Sequence, residues 1–106
     1  MVAAANVRER FRYAGELADR WRQDRSSVTR ELDAWDSYWE GQLAAAAADG
    51  NEAAARGALD GLRAVRLAGD DLLAQVVPRL ALEYMLLSFP RGTLAAGPSA
   101  PDKVYV

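Results

Sequence analysis

The sequence predicts an all-α fold: a small bundle of three to four helices with a long N-terminal helix and an irregular C-terminal tail. Three observations predict it. Apolar residues step by four and three from Val7 to Trp39; no proline interrupts Ala3 to Ala48; and the densest apolar run, Asp70 to Phe89, carries its polar residues Asp71, Gln75, Arg79 and Glu83 four apart. Those are helical periods, not the alternation of a strand.

The N-terminal seam comprises Val7, Phe11, Ala14, Ala18, Trp21, Val28, Leu32, Trp35 and Trp39, with Arg25 in one apolar slot. Such a heptad-like seam predicts one long helix, bent near Arg25. The alternative is two helices broken near Asp24–Ser27, with Asp24 or Ser26 as N-cap. Asp49-Gly50-Asn51 is the clearest break: glycine can take the positive φ that ends a helix, and asparagine can cap the next. The segment from Glu52 to Ala68 is rich in small residues, Ala53, Gly57 and Gly61 lying four apart. Glycines in a helix interior cost about 1 kcal/mol each, so a close neighbour such as Trp35 or Trp39 is expected to compensate. Gly69-Asp70 reads as a stop and a new N-cap.

The Asp70–Phe89 run is then a central helix, kinked where Pro78 removes a backbone hydrogen bond. Leu72, Leu73, Val76, Val77, Leu80, Tyr84 and Leu87 form its expected core side, while Leu82 and Leu86 intrude on the polar stripe. Pro90 ends it. A helical domain, 1–89, and a Pro/Gly-rich tail, 90–106, are the expected divisions.

Composition narrows the function classes. The 106 residues carry a formal net charge of -2, with 51% hydrophobic and 26% charged residues. That balance predicts an ordinary globular protein without non-specific nucleic-acid binding, which needs a positive surplus. Cysteine and histidine are both absent. Disulfides, thiolate metal sites, common zinc sites and His-based dyads are therefore unavailable to these residues. No glycine-rich phosphate loop occurs. The expectation is no cofactor, no metal and no catalytic residue. Charge appears early in MVAAANVRERF, so no signal peptide is expected; polar residues inside the 70–89 run argue against a membrane span. We expect a cytoplasmic protein, with secretion lacking a signal peptide still open. Lys103 is the only lysine beside many arginines, which suits a GC-rich bacterial genome.

Large aromatics cannot stay in water. Each buries about 150–250 Å², worth roughly 4–6 kcal/mol gross, so the tryptophans belong to a core or an interface. The first 30 residues are arginine-rich, while Glu31 to Glu52 carries only acidic charge. That polarity could support antiparallel or head-to-tail association. The function read from these features is protein–protein association: a small non-catalytic adaptor or subunit, expected to be a homodimer or to bind another protein. Candidate interface residues are Trp35, Trp39, Leu82, Leu86 and the apolar terminus Val104, Tyr105 and Val106. A small-ligand-binding bundle, or an enzyme using arginines and carboxylates such as Asp33, Asp36 and Glu40, is the competing class.

Trp39-Glu40-Gly41, followed by Leu43-Ala44-Ala45, resembles the small WXG-motif proteins exported by type VII secretion. The resemblance implies a dimerising helical hairpin with the motif in its turn. Strong helix formers after Gly41 leave a second architecture open, with Gly41 inside a helix and the turn at Gly50. The stretch Leu62-Arg63 through Asp70 and Leu72-Leu73 to Arg79 faintly resembles the first helix of the all-helical chorismate mutases, without their lysine. That resemblance implies arginines holding a dianion.

Overall fold

The computed structural model describes residues 2–90 and Thr93, with side chains from Val7 onward. Four helices and no strand occur among the described residues: α1 Val2–Gln23, α2 Arg25–Asp49, α3 Glu52–Leu73 and α4 Pro78–Leu87. The all-α bundle expected from periodicity is the fold. Of the expected tail, 90–106, only Pro90 and Thr93 are described.

The expected continuous N-terminal helix is instead two helices. Asp24 donates its N–H to the Arg20 carbonyl at 2.6 Å and then leaves helical geometry, with φ -151° and ψ 88°. Its carboxylate accepts from the Ser26 hydroxyl at 2.7 Å and the Ser27 N–H at 3.2 Å, an N-cap for α2. Those bonds, the Ser26 hydroxyl foremost, hold the Asp24 carboxyl below its ordinary pKa. The two helices then fold back on each other. The Trp35 indole donates to the Tyr13 hydroxyl at 3.0 Å, Tyr13 donates to Glu31, and Arg20 donates to Glu31 at 2.9 Å and to Ser27 at 3.0 Å.

Gly50 ends α2 as expected. At φ 68° its N–H donates to the Ala47 carbonyl at 3.2 Å, and the Asn51 N–H reaches the Ala46 carbonyl at 2.9 Å, which is a Schellman closure. Asn51 caps α3, accepting from the Ala54 N–H at 3.0 Å.

Two expectations fail in the second half. Gly69-Asp70 is not a boundary: α3 runs through it to Leu73. Gly69 keeps a negative φ, and Ala68 and Leu72 beside it are buried, so packing holds the helix. Nor does Pro78 kink a central helix. Gln75 takes φ 65°, its N–H donating to Leu72 and that of Val76 to Asp71, so a second Schellman closure ends α3 ahead of the proline. Pro78 then occupies the first turn of α4, where its missing N–H leaves no bond unmade.

α2 packs mainly on α3, α1 on α4, and α3 on α4. The centre is aromatic. Trp35 and Trp39 stack at 6.4 Å between centroids, Phe89 lies 5.0 and 5.2 Å from them, and Tyr38 presents an edge to both. Gly61 admits the Trp39 ring, since a Cβ there would stand 2.4 Å from indole Cε2.

Candidate functional site

The structure redistributes the residues expected at an interface. Trp35, Leu82 and Leu86 are 0% exposed and Trp39 is 4% exposed, all in the core of the single chain. Leu82 and Leu86 therefore form no exposed strip, which corrects the expected orientation of this helix. Val104, Tyr105 and Val106 lie outside the described residues. Trp39 keeps one oddity: its buried indole N–H has no acceptor.

Among the arginines of the first 30 residues, one is buried. Arg10 is 6% exposed and reaches the far end of α4. Its guanidinium donates at 2.8 Å to the carbonyls of Leu86 and Phe89 and at 2.9 Å to that of Pro90. The last carbonyls of a helix have no partner within it, and a charged planar fork can satisfy several at once. Nothing in the spacing around Arg10 signals this; the only hint is its place between the seam residues Val7 and Ala14.

Three of the six acidic side chains from Glu31 to Glu52 are paired with arginines of the chain. Arg66 of α3 donates to Asp36 at 3.0 Å and to Glu40 at 2.9 Å, and Arg20 meets Glu31. The Asp36 carboxylate, hydrogen-bonded and close, holds the Arg66 guanidinium above its ordinary pKa. Asp33, Asp36, Asp70 and Arg66 rim a hollow of about 440 Å³ floored by Trp21, Leu32, Val65 and Leu72. Because Arg66 already faces two carboxylates, this hollow presents no strong anion site. Among the described residues no group of three or more acidic side chains could hold a metal ion, and no helix is long and apolar enough to cross a membrane.

What the surface does present is apolar. Among the described residues nine large hydrophobic side chains are exposed, and seven of them lie between Leu67 and Leu87. Leu80, Tyr84 and Leu87 stand at i, i+4 and i+7 along the outer face of α4. Val77 precedes them at the helix start, Val76 lies in the connection from α3, and Leu73, 77% exposed, is the last residue of α3. Tyr84 shares a shallow hollow with Leu67, Arg63 and Asp60 of α3. Compared with protein-family models, curated proteins and solved structures, the chain matches none.

Gly41, the last residue of the Trp-x-Gly triplet, lies inside α2 and is exposed, with open space where a Cβ would be.

Proposed function

We propose that this protein is a non-catalytic helical association subunit, an adaptor that docks a protein partner on the outer face of α4 and the connection that leads into it. One observation carries the reading: exposed large apolar side chains are concentrated on a single ten-residue helix and its approach, while the chain's own core is complete without them. Exposed surface of this extent costs solubility, and burial against a partner recovers roughly 25 cal/mol per Å² before the costs of association. The charged groups give less support to catalysis, since several carboxylates and arginines on the helix faces are paired with each other.

The test is site-specific photo-crosslinking of the full chain in living cells. A benzophenone side chain at Leu80 is expected to capture a protein, whereas one at the exposed Ala44 of α2 is not. No protein adduct at Leu80, or equal capture at both positions, would overturn the reading.

A further inference from the structure

We infer that the hollow between α2 and α3, floored in part by Trp21 of α1, is a binding site for a small organic cation: an ammonium group on an apolar body. The inference goes beyond the docking reading, whose face is the outer side of α4.

Size and floor call for the apolar body. The volume of about 440 Å³ lies within the roughly 300–1,000 Å³ of small-molecule sites. Trp21, Leu32, Val65 and Leu72 form the floor, each at most 8% exposed.

Gly69 keeps the hollow unfilled. It stands in the interior of α3, where glycine weakens a helix relative to alanine. Gly61 receives the Trp39 ring in return, but at Gly69 nothing lies within 4 Å of the place a Cβ would take. Gly69 therefore lines the hollow with bare backbone, and no side chain of the described residues takes up the space.

Charge selects a cation. Among the described residues that line the hollow, Asp33, Asp36 and Asp70 are acidic and Arg66 alone is basic. Arg66 is already bonded to Asp36 at 3.0 Å and to Glu40 at 2.9 Å. Asp33 on α2 and Asp70 on α3 make no ion pair among the described residues. Arg25 lies over the Trp21 ring at 4.9 Å, but it lines the neighbouring hollow together with Arg22. Two uncompensated carboxylates above an apolar floor attract an ammonium, which offers each a charged donor, and repel a carboxylate. A bare metal ion does not suit the site, because no three acidic side chains among the described residues could hold one.

The test is an NMR titration of the isotope-labelled full chain with phenethylammonium chloride. Saturable amide shifts are expected at Thr29, Asp33 and Gly69, and none at Ala44. Phenethyl alcohol, the same body without the charge, is expected to bind about tenfold more weakly, since two exposed ion pairs are each worth a few-fold in affinity. Phenylacetate is expected to give no saturable shift. Asp33→Asn combined with Asp70→Asn should weaken phenethylammonium to the level of the alcohol. Both aspartates are exposed, so the helical circular dichroism should not change. Arg66→Gln releases the Asp36 carboxylate and should strengthen phenethylammonium a few-fold. Gly69→Leu fills the hollow with a better helix former and should abolish the shifts. The inference is overturned if phenethylammonium gives no saturable shift, if the alcohol binds equally well, or if the double aspartate variant binds as the parent does. Shifts centred on Leu80, Tyr84 and Leu87 would overturn it too, since they would place the probe on the outer face of α4.

Discussion

Gly61→Ala and Gly41→Ala are the same chemical change in two helix interiors, and they should move stability in opposite directions. Both gain from replacing glycine in a helix, by about 1 kcal/mol at most. At Gly41 that gain is unopposed, because nothing lies within 4 Å of the new methyl group. At Gly61 the methyl would stand 2.4, 2.6 and 2.8 Å from indole atoms Cε2, Cδ2 and Cζ2 of Trp39. Real carbon contacts begin near about 3.5 Å, so ring or helix must move by roughly 1 Å. Trp39 has little room to yield: Trp35, Tyr38 and Phe89 all lie within 6.4 Å of its ring centroid. Overpacking of this kind costs about 1–3 kcal/mol, and a severe overlap lies toward the upper end. Subtracting the helix gain leaves Gly61→Ala destabilised by about 1–2 kcal/mol. For a domain near this size, 1 kcal/mol shifts the melting temperature by about 4–8 °C. Thermal unfolding followed by circular dichroism should therefore place Gly41→Ala above the parent and Gly61→Ala below it. If Gly61→Ala melts at or above Gly41→Ala, the packing of Trp39 on α3 is refuted. If Gly41→Ala alone melts low, Gly41 is a turn residue.

Further outcomes follow from single contacts. Arg10→Met should lower the urea-unfolding free energy by about 2–4 kcal/mol, because buried carbonyls at the end of α4 lose a charged donor. Gln75→Gly should raise it by up to about 1 kcal/mol, since Gln75 holds a positive φ that glycine adopts without strain. Leu82→Ala should cost about 2–5 kcal/mol in the same assay as a fully buried leucine, which separates a core role from the surface role expected of it from sequence. Asp24→Ala tests the cap through pH. A carboxyl whose pKa is lowered by folding contributes stability above about pH 4 and loses it as the pH falls through its folded value. The gap in melting temperature between parent and variant should be full at neutral pH and close in acid.

The elements that were legible in the sequence are those set by local chemistry. Asp49-Gly50-Asn51 contains both the residue that can adopt a left-handed conformation and the residue that can cap the following helix, and both roles are filled. The tryptophan–glycine contact was foreseeable because two glycines in a helix need compensation; Gly61 receives it from Trp39, while Gly57 meets Pro90. The break at Asp24 was visible only as an alternative, because the apolar seam steps across it without losing phase. Gln75 gave no sign of ending a helix, since its left-handed φ is unusual for a residue with a side chain. Arg10 was hidden for a different reason. Its partners are carbonyls 76 to 80 residues away, and backbone acceptors leave no trace in a pattern of side chains.

The inversion of the Asp70–Phe89 run shows why the candidate site could not be read from periodicity alone. Asp71, Gln75, Arg79 and Glu83 look like one stripe only if one helix carries all four. The reversal at Gln75 assigns Asp71 to α3, and Arg79 and Glu83 to α4, so the phase of the first pair says nothing about the second. Within α4, ten residues are too few, and too apolar on all sides, for composition to choose an inward face. Tertiary partners choose it. Arg10 draws the carbonyls of Leu86, Phe89 and Pro90 toward α1. The small residues Ala14, Ala18, Ala64 and Ala68 are buried alongside Leu82, Met85 and Leu86 in one core. Leu80, Tyr84 and Leu87 are thereby turned outward. The surplus of apolar residues in this run leaves large apolar side chains exposed, and which of them are exposed depended on contacts that no local spacing encodes.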